Sequence, residues 1–203
     1  MNIIDIVLEN KRMKIVLIHL DLGIGGAERL VINTSISLKD IGNDVTIITS
    51  HHNNNHCFEE TKHNGILGNN IIVLGDWIPR HILGKGTAFF AILRMIYMTI
   101  ILIIYNIYYN IMYRYNYVDI VFMDGVSASI PLLTLVGIPV LFYCHFPDKL
   151  LCIERKSYTK KLYRLVIDTL EEVTTGNIYI LILLQINTNT LTILILMSKV
   201  VLL

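Results

Sequence analysis

Twelve residues, His19-Leu-Asp-Leu-Gly-Ile-Gly-Gly-Ala-Glu-Arg-Leu30, constrain the fold more than any other stretch. They follow the apolar run Ile15-Val16-Leu17-Ile18, which has the pattern of a buried strand, and they lead into a helical pattern. A glycine turn between a parallel strand and a helix presents backbone N–H groups beside the positive end of the helix dipole, an arrangement suited to phosphate. Gly23, Gly25 and Gly26 are the candidates for that approach. The spacing G-x-G-G-A-E is not the dinucleotide G-x-G-x-x-G: Glu28 occupies the position of a small residue. Thr49-Ser50 stands where a ribose-binding acid would close the second strand, which disfavours a nicotinamide dehydrogenase. On the glycines alone, a structural turn without ligand is the competing reading.

Beyond the loop, apolar β-rich runs alternate with helical ones. The pattern predicts strands at Lys14–Ile18, Val45–Thr49, Ile71–Leu74, Val118–Met123 and Val140–Cys144. Helices are predicted over Gly26–Lys39, Phe89–Tyr113, Val126–Val136 (bent or broken at Pro131) and Tyr158–Thr175. Residues 51–70 read as a polar loop. This alternation predicts an α/β fold with a doubly wound parallel sheet, whose ligands sit at the carboxyl ends of strands. Three such ends stand out: Gly23–Gly26, Asp124-Gly125 and His145.

Composition narrows the classes. A net charge of +1 over 203 residues and the absence of any nucleic-acid motif argue against nucleic acid as a partner. Hydrophobic residues make up 54% of the chain and mean hydropathy is +0.58, which points toward membrane contact. Cys57, Cys144 and Cys152 are odd in number and lack a C-x-x-C spacing, as expected of reduced thiols facing the cytosol. Residues 1–12 read as an N-terminal extension and not as a signal peptide. His51, His52, His56 and Cys57 match no standard structural zinc spacing, so no metal is expected.

Four segments in one order carry a resemblance: Gly23-Ile-Gly-Gly-Ala-Glu-Arg-Leu30, Gly75-Asp-Trp-Ile-Pro-Arg80, Phe142-Tyr-Cys-His-Phe-Pro-Asp148, and Leu162-Tyr-Arg-Leu-Val-Ile-Asp168 with Glu171-Glu172 and Thr174-Thr-Gly176. Over roughly Lys14 to Gly176 the chain resembles the N-terminal half of the eukaryotic α-1,3/1,6-mannosyltransferases of N-glycan precursor assembly. The resemblance implies a Rossmann-like N-terminal domain of a retaining GT-B glycosyltransferase, covering residues 13–176, on the acceptor side of the cleft. It implies transfer of mannose from GDP-mannose to a dolichol-diphosphate-linked oligosaccharide, α-1,3 and then α-1,6, at the cytosolic face of the endoplasmic reticulum membrane. No cofactor beyond the donor substrate is implied.

On the same resemblance Gly23, Gly25 and Gly26 would meet the donor diphosphate, where N–H dipoles stabilise charge that develops as the glycosidic bond breaks. His145 would sit beside the transferred mannose as the catalytic residue. Asp124 would reach acceptor hydroxyls, against the plainer reading of Asp124-Gly125 as a turn. Lys149, with its basic neighbours, would attract the acceptor diphosphate or anionic headgroups, against the plainer reading of a solvated charge run. The family usually has a proline after the histidine of the glycine segment; here that position is Leu20. An oligomer, or an assembly with partner glycosyltransferases, is compatible with this picture.

Two hydrophobic segments need separate treatment. Met95–Tyr113 carries no charge and is bracketed by Arg94 and Arg114, long enough to span a bilayer. Its tyrosines crowd the second half, and Ile100, Ile104, Ile107 and Ile111 recur at helical spacing, a pattern that favours lying against membrane or protein. From Asn177 the chain leaves the family pattern. Residues 177–203 hold one charged side chain, Lys199, and read as an aberrant hydrophobic tail in place of the donor-binding C-domain. As a membrane anchor that tail would be interrupted by Gln185 and Asn187-Thr-Asn-Thr190. The expectation is that this chain alone transfers no mannose, the alternative function being an inactive acceptor- or partner-binding fragment.

Overall fold

A computed structural model describes residues 12–84, 86–144, 158–175, 180–187 and 190–197. Its centre is a sheet in which β1 (Lys14–Asp21) lies between β2 (Asp44–His51) and β4 (Ile120–Asp124). The spatial order is β3-β2-β1-β4-β5-β6-β7, with β3 at Ile71–Val73, β5 at Val140–Cys144, β6 at Ile180–Asn187 and β7 at Thr190–Met197. Strands β1 to β5 pair in parallel throughout. The chain therefore runs outward in one direction from β1 and in the other from β4. This places the topological switch point between β1 and β4, where open α/β sheets bind ligands.

Alternation along β1 assigns its two faces. Ile15 and Leu17 pack with Val31 and Ile32 of α1 (Gly26–Asp40) on one side. Val16 and Ile18 pack with Met95, Met98 and Leu102 of α2 (Thr87–Tyr113) on the other. A strand covered on both faces must be apolar at every position, hence the uninterrupted run in the sequence. Helix α1 carries Glu28 in its first turn and Lys39 in its last, complementing the dipole. It ends in a Schellman motif: the Gly42 N–H donates to Lys39 O at 2.9 Å and the Asn43 N–H to Leu38 O at 3.2 Å. Gly42 sits at φ +95°, a conformation glycine adopts without a Cβ penalty.

The sequence reading is corrected at two elements and extended at a third. The fourth strand starts at Ile120, later than expected, and takes in Asp124 as its last residue. The third helix, α3, covers only Ile130–Leu135. Pro131 lies in its first turn, where a missing N–H costs nothing, so the proline starts this helix instead of bending it. Helix α4 (Tyr158–Thr175) matches its expected bounds and is tied to the β4 exit by the Ser127–Thr174 hydroxyl pair at 2.8 Å. Beyond residue 176, β6 (Ile180–Asn187) adds to β5 in parallel and β7 (Thr190–Met197) returns antiparallel. The two apolar runs weighed as an anchor are thus sheet strands, divided between Asn187 and Thr190 where the polar interruption falls.

Candidate functional site

The carboxyl ends of β1 and β4 bring together two residues far apart in the chain. His19, 8% exposed, points its Nδ1 at the Oδ2 of Asp124, 2.8 Å away; Asp124 itself is 2% exposed. The other ring nitrogen, Nε2, lies 4.0 Å from the Glu28 carboxylate in the first turn of α1. Burial alone would lower the His19 pKa, but the adjacent Asp124 carboxylate and the more distant Glu28 outweigh it and raise it to about 9. At neutral pH His19 is therefore an imidazolium held between two carboxylates.

The glycine loop lies beside this cluster, between β1 and α1. Gly25 is the N-cap of α1, with an extended backbone (φ −168°), and no side-chain hydrogen bond caps the helix there. That backbone does not itself demand glycine, and a Cβ at Gly25 would meet only the far end of the flexible Glu28 side chain, which can shift aside. Gly26 opens onto free space, and Gly23 faces the His56 ring at 3.9 Å from a would-be Cβ. The loop is thus narrow on the Glu28 side and open on the other. Gly125, after Asp124, has φ +79° and makes the chain turn sharply off the strand.

Neighbouring groups hold this edge in place. Arg94 of α2, 6% exposed, donates from Nη1 to the Ser50 hydroxyl at 2.9 Å, and that hydroxyl donates to Leu20 O at 2.6 Å. The segment Gly75–Arg80 closes over the ends of β1 and β2: Asp76 meets the His51 ring at 2.7 Å and Arg80 meets Asp21 at 2.8 Å. Cys57 is buried, with its Sγ directed at Asn54 O. Thus the structure separates the histidine-cysteine segment into different local roles. His51 belongs to the Asp76 pair, His56 to the wall of the glycine loop.

Of the residues singled out from sequence, Gly23, Gly25, Gly26 and Asp124 converge on the switch point. His145 and Lys149 lie outside the described residues. The sequence reading missed His19, although it opens the most informative segment. Its signal was the position at the carboxyl end of a buried strand, and only pairing with β4 reveals its partner.

The second half of α2 is a separate surface. Arg94, Met95, Met98, Thr99 and Leu102 are buried, whereas Ile100, Ile104, Ile107 and Ile111 are exposed, Ile111 by 68%. Tyr97 extends this stripe to the glycine-loop edge through an edge-on contact with the exposed Trp77, ring centroids 5.6 Å apart.

No protein-family model matches the chain. It is 46% identical over 168 residues to the α-1,3/1,6-mannosyltransferase ALG2 of Rhizomucor pusillus, a match covering 82% of this chain and 34% of that protein. The ALG2 proteins of Candida albicans and Dictyostelium discoideum are 45% and 43% identical, over 83% of this chain and 36% and 38% of theirs. The chain thus spans about a third of the length of the curated relatives it matches. Among solved structures, Acinetobacter baumannii MurG aligns at 18% identity with a TM-score of 0.38, covering 75% of this chain and 39% of that one. Over the four-fifths of its length that the sequence matches span, the chain is a relative of the ALG2 α-1,3/1,6-mannosyltransferases.

Proposed function

We propose that this chain forms the acceptor-side domain of a mannosyltransferase. The reaction is transfer of mannose from GDP-mannose to a dolichol-diphosphate-linked oligosaccharide, α-1,3 and then α-1,6, in N-glycan precursor synthesis. The observation that carries the reading is the glycine loop at the β1/β4 switch point, in a chain more than two-fifths identical to proteins of that name. In this reading the loop amides of Gly23, Gly25 and Gly26 face the donor diphosphate, where charge grows as the mannosyl bond breaks. His145 stands beside the transferred mannose and Lys149 attracts the acceptor diphosphate, while Asp124, expected from the sequence to reach acceptor hydroxyls, is buried against His19 and acts through that ring. No metal or further cofactor enters the reaction.

The same reading places the chain on the cytosolic face of the endoplasmic reticulum membrane. The stripe Ile100, Ile104, Ile107 and Ile111 is exposed and uncharged, and tyrosines 105, 108 and 113 beside it suit the headgroup level. Because the first half of α2 is built into the core, this helix rests on a bilayer surface and does not span it.

The test is a chimera: the matching segment of the Rhizomucor pusillus relative replaced by residues 13–176 of this chain. The chimera is expected to transfer radiolabelled mannose from GDP-mannose to a polyprenyl-diphosphate-linked oligosaccharide, and His145→Ala to abolish transfer. A folded chimera that transfers none overturns the proposal.

A further inference from the structure

A loop that receives a diphosphate is flanked here by two carboxylates, Asp124 and Glu28, which by themselves would repel it. The structure resolves the conflict in one side chain. We propose that His19 is a positioning residue whose imidazolium, set between Asp124 and Glu28, offsets their charge beside the glycine loop and so makes the loop able to accept a diphosphate. This inference rests on the reading of the loop as a diphosphate site.

The geometry supports it in three ways. Both ring nitrogens of His19 face a carboxylate, Nδ1 toward Asp124 on β4 and Nε2 toward Glu28 on α1. Only the doubly protonated ring carries the positive charge that attracts both. Glu28 lies so close over Gly25 that its carboxylate borders the N-terminus of α1, where a phosphate oxygen would arrive. Losing the charge on His19 would therefore leave more negative charge at the place the ligand needs. The third neighbouring element, β2, sets the uncharged Thr49 opposite His19 in register. Among the described residues, Asp124 and Glu28 are accordingly the charged groups that govern this ring. The high pKa keeps the imidazolium in place across the neutral range.

The test uses the full chain and P,P′-dimethyl diphosphate, a diester whose charge stays constant between neutral pH and about pH 10. Binding is followed by calorimetry, and His19 by the ring resonances of the isotopically labelled protein. The wild-type chain is expected to bind at pH 7 and to lose about tenfold in affinity as the ring deprotonates, the scale of one nearby charge. His19→Gln is expected to bind about tenfold more weakly at pH 7. Adding Glu28→Gln to it is expected to restore binding, because the repelling charge is gone though the imidazole is still missing. A purely structural histidine predicts no such rescue.

The outcomes separate the two readings. Binding by wild type that does not change as the His19 resonances titrate overturns the proposal and leaves the loop as a diphosphate site. Undiminished affinity in a folded His19→Gln variant does the same. No binding by wild type at pH 7, with the His19 ring protonated, overturns the diphosphate reading of the loop and this proposal with it. If His19→Gln does not fold, the wild-type pH series decides alone.

Discussion

At the carboxyl edge of the sheet, exposed ion pairs surround two charged positions that are buried and partnered: His19 with Asp124, and Arg94 through Ser50 to Leu20. At the amino edge, charged and aromatic groups stay in reach of water. There the backbone N–H of Lys14 donates to the exposed Asp119 carboxylate at 2.8 Å, and its Nζ sits 3.8 Å from the centre of the Tyr115 ring. Tyr109, Tyr115 and Tyr117 border a hollow of about 250 Å³ beside it. Helix α2 connects the two environments, its first half in the core and its second half exposed along Ile104, Ile107 and Ile111. The contrast shows where this fold spends stability. Charges held out of water cost much unless matched, and such sites are kept where chemistry needs fixed geometry.

The largest effect should come from leaving the buried imidazolium without its partner. Asp124→Ala is expected to destabilise the fold by about 3–5 kcal/mol, read as a lower urea midpoint at pH 7. If it costs less than about 1 kcal/mol, the two edges do not differ in the way described.

A related effect follows from pH. His19 has a folded pKa of about 9, above its ordinary value of 6.5. Its contribution to stability is therefore complete below about pH 6.5 and is lost as pH rises through about 9, amounting to about 3 kcal/mol. Denaturation midpoints measured across that window should fall in wild type and stay level in His19→Gln. Level midpoints in wild type would refute the paired imidazolium.

The halves of α2 sharpen the comparison by packing instead of charge. Met98→Ala, at a fully buried position, is expected to cost about 2–4 kcal/mol. Ile107→Ala on the exposed half is expected to stay within about 0.5 kcal/mol, while Ile107→Asp should reduce sedimentation with anionic vesicles. Equal losses from Met98→Ala and Ile107→Ala would mean the second half is also packed. The smallest effect belongs to the amino edge: Lys14→Met, removing the cation–π contact, should cost no more than about 1 kcal/mol in urea unfolding.

Much of this was legible from the chain. Runs such as Ile15–Ile18 and Val140–Cys144 are too continuously apolar for a half-exposed strand, so they announce a sheet covered on both faces. The bounds of α4 followed from its periodicity. The start of α3 did not, because Val126–Ser129 continues the apolar pattern but turns off β4 through Gly125 at φ +79°. In α2 the sequence showed an isoleucine stripe without showing which side would be covered. The buried side turned out to be the one carrying Met95, Met98 and Leu102.

The sequence by itself determined the order of strands and helices as far as Thr175, the glycine turn after the first strand, and the apolar stripe of α2, because each follows from local spacing. Only the tertiary structure decided that β4 would lie beside β1, since strand order is set by packing among distant segments. With that choice Asp124 ceased to be a turn residue and became the counter-ion of His19. A buried charge takes its meaning from its partner, and the partner came from the other side of the switch point.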